Sequence, residues 1–216
     1  MNHKRHPEAN LVFMGRVVAS YSHEIKNVLA IINETTGLMH DLLTLKKEDL
    51  AQQSERFTKS LKDIGDHVQR GQQLSTFLNT LAHAPDKEVN GIDLINSMQT
   101  VFALCNRLVR NKSLHLTFHS DQAPLHITTK PVECMHSIFC ALEWAMTNSQ
   151  PGTEIVFSTQ AEKKGVRIEV TGWTERNETD EGELFQHLKR LVTTLQGACT
   201  INGKVMVITL PKHIDV

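Results

Sequence analysis

Between Glu8 and Ala84 the chain contains no proline, and its apolar residues fall into columns spaced by three and four. Val18, Ile25, Ile32 and Met39 recur every seven residues, with Tyr21, Val28 and Leu42, then Leu29 and Leu43, in neighbouring columns. Farther on, Phe57, Leu61, Ile64, Val68, Leu78 and Leu81 keep the same rhythm. A period of 3.5 sustained this long suits amphipathic helices packed along a seam and no strand. The pattern predicts a helical hairpin whose turn lies near Lys46 to Asp49. Two such helices bury little on their own, so the hairpin is expected to complete a four-helix bundle by pairing with a second copy, as a homodimer.

The grammar changes after residue 84. "HAPDKEVNG" (83–91) gathers turn residues and charge and reads as a linker. Residues 92–110 predict an amphipathic helix. "SLHLTFHS" and "PLHITT" then alternate as strands, and a helix at 131–147 follows. Next come a strand pair "TEIVFSTQ" and "VRIEVT" joined by "AEKKG", a helix at 182–195 and a closing hairpin "ACTINGKVMVITL". Within it Asn202-Gly203 signals a two-residue type I′ turn, which needs positive φ at both central residues. The fold class is therefore α+β: a hairpin unit over 1–84, a linker over 85–91, and an α/β unit over 92–216 with a mixed sheet covered on one face by helices.

Composition narrows the function. The 216 residues are 40% hydrophobic with a formal net charge of −1, enough for a core and without a basic, aromatic-interleaved stripe, so no nucleic-acid partner is expected. No apolar run is long enough to span a bilayer, so no membrane partner is expected either. Cys105, Cys134, Cys140 and Cys199 show no C-x-x-C and no metal-ligand spacing, and read as free thiols of a reducing cytoplasm.

One stretch breaks the pattern. In "SYSHEIKNVLAIINE" (20–34), taking Val18 and Ile25 as the seam turns His23 away from it, with Glu24 and Asn27 placed around the same outward patch. Exposed histidines are ordinary in a chain with 12 of them. "SHEIKNVLAI", however, resembles the phosphoacceptor box of sensor histidine kinases, H-E-x-x-N, with Val28 where proline is usual. The resemblance implies that His23 takes a phosphoryl group, that Glu24 holds one ring N–H to leave the other nitrogen nucleophilic, and that Asn27 orients a water in dephosphorylation. Ala30 and Gly37 follow His23 at seven-residue spacing, and with Arg16 and Lys26 they are the candidate partner-facing residues.

The second half resembles the kinase ATP domain with its working parts replaced. In "ECMHSIFCALEWAMTNS" Ser137 and Ala141 stand where Mg²⁺-ligating asparagines would be expected. Gly172-Trp173-Thr174 replaces the Asp-x-Gly that reads adenine, and only Thr174 to Glu181 separate Trp173 from Gly182, with Leu184 where a second glycine belongs. Loss of metal ligand, base reader and lid together predicts no ATP use. The sequence thus resembles dimeric histidine phosphotransferases with a degenerate kinase-like α/β sandwich domain. The resemblance implies response-regulator receiver domains as partners, no cofactor or metal held by the chain, and Mg²⁺ supplied by the regulator. A silent adaptor or inhibitor, or an active kinase, are the alternatives.

Overall fold

The computed structural model describes residues 5–44, 50–121, 124–173 and 182–215. Helix α1 (Arg5–Thr44) and helix α2 (Leu50–Ala82) form the expected antiparallel pair. At 1.5 Å per residue α1 is about 60 Å long. The turn expected near Lys46 to Asp49 lies outside the described residues. Pro85 ends the hairpin in a 3₁₀ turn (Ala84–Asp86), where a missing N–H cannot continue the helix.

Within one chain the hairpin buries only part of the columns that the heptads mark, Val28 among them. Phe13, Val17, Ser20, Glu24 and Val28 form the buried face of α1, with Leu74 and Leu81 of α2 also buried. Val18, assigned to the seam, is 43% exposed, and Leu61 of α2 is 59% exposed. Successive helix residues turn by about 100°, so a face centred on Val17 and Glu24 adjoins the Val18 column and leaves His23 outward. Val18, Leu29, Leu43, Leu61 and Val68 of the apolar columns stay exposed along the hairpin, while an adjacent face meets the rest of the chain.

Strand β1 (Asn90–Asp93) occupies the end of the expected linker and pairs antiparallel with β3 (His126–Thr129). Asp93 both ends the strand and caps helix α3 (Leu94–Asn111): its Oδ1 accepts from the backbone N–H of Ile95 at 3.0 Å and of Leu125 at 3.1 Å. Such a cap contributes about 1 kcal/mol. The main sheet runs β2 (His115–Ser120), β4 (Glu154–Glu162), β5 (Gly165–Thr171), β7 (Val205–Pro211), β6 (Ala198–Asn202). The β2–β4 pairing is parallel and the other three are antiparallel. Helix α4 (Pro131–Thr147) lies in the crossover between β2 and β4, and α5 (Glu183–Thr194) precedes the closing hairpin. Ile155 and Phe157, Val166, Ile168 and Val170, and Met206, Ile208 and Leu210 alternate into one core with the apolar faces of the helices.

The closing turn differs from expectation by one residue. Asn202 still pairs with Val205, so the loop is Gly203-Lys204, and positive φ falls on Gly203 (+59°) but not on Asn202. Glycine alone at the first central position is the type II′ requirement.

Hairpin and α/β unit share a single core. Phe13, Val17, Leu81 and Ala84 belong to the same buried cluster as α3 and α4. The Phe13 ring stacks on His136 of α4 at 4.8 Å and tilts against Phe139 at 5.2 Å. Burying a phenylalanine in this way contributes about 2 kcal/mol.

Candidate functional site

His23 stands near the middle of α1 with its side chain exposed, as its position in the box implies. Asn27, one turn along, and Lys26, Ala30 and Gly37 are exposed as well. These five share solvent access along α1.

Glu24 departs from this group. It is 4% exposed, turned between the helices, and accepts from two arginines. Arg110 at the C-terminal end of α3 donates through Nη2 to Oε2 at 2.9 Å and to Oε1 at 3.1 Å, and Arg70 of α2 donates to Oε1. A buried carboxylate is tolerable only when paired and hydrogen-bonded in this way. The expectation that Glu24 holds a ring N–H of His23 is thereby corrected. Its oxygens are committed to guanidinium groups on the inner face, and the 100° step between neighbours sends His23 outward. What Glu24 does is fix the rotation of α1 and tie it to both α2 and α3.

Arg16 is exposed and held toward the α/β unit. Expected to face a partner, it donates through Nη1 to Glu143 of α4 at 2.8 Å and lies over the Phe139 ring, 5.0 Å from its centre. The hydrogen bond to Glu143 outweighs desolvation and holds the guanidinium above its ordinary pKa. Arg16 thus fastens the hairpin to the α/β unit, two turns before His23. Neither Arg70 nor Arg110 stood out in the sequence, because a pairing across 46 and 86 residues leaves no local spacing to read.

The positions at which the resemblance expects nucleotide contacts are packed into the fold. Ser137 is buried and donates to its own helix at Cys134 O, 2.7 Å away, and Ala141 is fully buried. Gly172 has φ +97°, and a Cβ there would lie 2.0 Å from the Glu154 carbonyl oxygen, so no aspartate fits this backbone. Trp173 is 7% exposed and meets Trp144 of α4 edge-on, with ring centres 5.0 Å apart. Trp144 in turn lies 5.8 Å from Phe185 of α5. These three rings pack between the end of β5 and the two helices. Thr174 to Glu181, where a lid would be expected, lie outside the described residues.

All four cysteines are buried. Absence of metal-ligand spacing in sequence does not carry into three dimensions for one of them, since Cys140 lies beside His136 and His187.

No family model matches the chain, and no curated protein matches it. Solved structures do. The catalytic domain of histidine kinase ThkA aligns over all of its own length and 60% of this chain, with TM-score 0.54 and 15% identity. The architecture is histidine-kinase-like. Acinetobacter baumannii histidine kinase AdeS covers more, 88% of this chain and 98% of its own, with TM-score 0.51 and 13% identity. ThkA in complex with the response regulator TrrA aligns over 97% of this chain and 65% of the ThkA chain, with TM-score 0.51 and 16% identity. Together these extend the likeness from the α/β unit to the helical hairpin. No helix among the described residues is long and apolar enough to cross a membrane.

Proposed function

We propose that the chain is a histidine-containing phosphotransferase of a two-component phosphorelay, working as a homodimer and without ATP. The observation that carries this reading is the exposed His23 imidazole on a rigid, anchored helix of a histidine-kinase-like fold. An imidazole nitrogen of His23 attacks the phosphorus of an aspartyl phosphate on one receiver domain. The N–P bond forms as the acyl phosphate P–O bond breaks, and the carboxylate leaves. Reversal onto a second receiver completes the relay, with Mg²⁺ held by the receiver's acidic pocket. A loose transition state of this kind asks little of the acceptor beyond a nitrogen in position.

Glu24 acts here as a positioning residue, holding α1 so that His23 faces out. Lys26, Asn27, Ala30 and Gly37 form the docking stripe beside it. Support for leaving ATP out comes from Gly172, whose backbone excludes the base-reading aspartate, and from the ring cluster of Trp173, Trp144 and Phe185. Support for a receiver partner comes from the ThkA complex, in which a chain of similar fold binds a response regulator.

The test is phosphoryl transfer from a labelled receiver. Wild-type protein should gain acid-labile label, and His23→Gln should fold and dimerise normally but gain none, since an outward side chain adds little to packing. Label retained in His23→Gln removes the proposal. Label gained from ATP alone restores the kinase alternative, and no label from any receiver favours the silent adaptor.

A further inference from the structure

Three side chains that can ligate metal converge where α4 packs on α5, beside the contact of α1 with α4. His136 and Cys140 stand one turn apart on the same side of α4, and His187 approaches from α5. One ligand atom of each lies within 4.8 Å of the other two. His136 and Cys140 are buried and His187 is half-buried.

The surroundings orient one of the imidazoles. Asn10 of α1 donates its amide N–H to Glu133 Oε1 at 3.3 Å, which turns Asn10 Oδ1 toward His136 Nδ1 at 2.7 Å. An amide oxygen only accepts, so Nδ1 carries the proton and the lone pair resides on Nε2. Stacking on Phe13, with the two rings 5° from parallel, fixes the plane of the imidazole. A histidine ligand of a metal ordinarily donates its far ring N–H in this way, which sets its tautomer and direction.

We infer that His136, Cys140 and His187 form a site for one transition-metal ion of the zinc class. Two imidazoles and a thiolate suit a borderline-soft ion with tetrahedral preference, while Mg²⁺ and Ca²⁺ favour oxygen. Bonds of about 2.0 to 2.3 Å place tetrahedral ligand atoms roughly 3.3 to 3.7 Å apart, so the three groups close by about an ångström on binding, within the reach of side-chain torsions. The metal–sulfur bond forms as the Cys140 S–H bond breaks, the proton passes to solvent, and no electron is transferred. A fourth position remains for water. The ion joins α4 to α5 and, through Asn10 and Phe13 on His136, steadies the start of α1. This site is separate from His23 and does not depend on the phosphotransfer reading.

The probe is cobalt(II) alone, titrated into full-length, tag-free protein and then displaced with zinc. One equivalent per chain should give intense tetrahedral d–d bands with a thiolate-to-cobalt charge-transfer band, and zinc should abolish both and raise the melting temperature. Cys140→Ser should lose the charge-transfer band. Asn10→Ala should weaken binding about 10- to 100-fold, as expected for an outer hydrogen-bond partner. His187→Ala should lose saturable micromolar binding, and because His187 is only half-buried this variant decides the matter if Cys140→Ser does not fold. His119→Ala, on exposed β2, should titrate like wild type. No saturable cobalt spectrum in wild-type protein, or binding that survives in His187→Ala, overturns the inference and leaves the cluster as core packing.

Discussion

The Glu24 carboxylate meets the Arg110 guanidinium 2.9 Å away, across 86 residues of sequence, while the adjacent residue His23 faces solvent. One contact therefore joins the helix bearing the candidate acceptor to the end of α3 and, with Arg70, to α2. Removing the carboxylate leaves two cations without their partner, although Arg70 and Arg110 are half-exposed and water takes over part of the loss. Glu24→Ala should lower unfolding free energy by about 2 kcal/mol, in the range of hydrogen bonds to charged groups. Denaturant unfolding checks this. Because the role is positioning, transfer from a receiver should slow in Glu24→Ala while its pH profile keeps the wild-type shape; a shifted profile would mean that the carboxylate acts on the ring itself.

The open apolar columns of the hairpin point to a second copy. Leu11 is 73% exposed, and Val18, Leu29, Leu61 and Val68 are exposed as well. Exposed apolar side chains of this kind on paired helices leave water by forming a four-helix bundle. Wild-type protein should be a dimer by light scattering at micromolar concentration. Val18→Asp with Leu61→Asp should shift it to monomer without loss of helical circular dichroism, since neither side chain belongs to the shared core.

Trp173 should matter for stability and not for nucleotide. Truncating a buried tryptophan removes its contacts with Trp144 and leaves a cavity, so Trp173→Ala should cost about 3 kcal/mol. Calorimetry should show no Mg-dependent ATP binding in either wild-type or variant protein, because Gly172 still leaves no room for an aspartate. Micromolar nucleotide affinity in the wild type would contradict the ATP-independent reading.

Burial pushes the thiols of Cys105 and Cys134 up to about 12, from an ordinary value of 9.0, and raises that of Cys140 as well. A folded pKa above the unfolded one means that the folded state holds its protons more tightly. The associated stability is whole below about pH 9 and is lost as pH rises toward about 12. Urea midpoints should fall above about pH 9, less steeply in Cys134→Ala. At about pH 8 a disulfide reagent should react with none of the four buried thiols until denaturant is added.

Much of the architecture was written in local pattern. The helix over 131–147 coincides with α4, because Pro131 starts it and its apolar run has helical length. The strand pairs from Glu154 to Thr171 and from Ala198 to Pro211 follow from alternation and from a glycine able to take positive φ. Periodicity places His23, Asn27, Ala30 and Gly37 on the outward side of α1, where they are exposed, and places Glu24 there too, although Glu24 is buried. Periodicity does not say which of two neighbouring apolar columns a partner will cover. The docking of α3 and α4 on Phe13 and Val17 decided that, and in doing so it carried Glu24 inward to Arg70 and Arg110, drew Arg16 to Glu143, and gathered His136, Cys140 and His187. Apart from His136 and Cys140, one turn apart on α4, each of these meetings joins residues 46 or more apart by way of a shared core, and spacing along the chain holds no record of such distances.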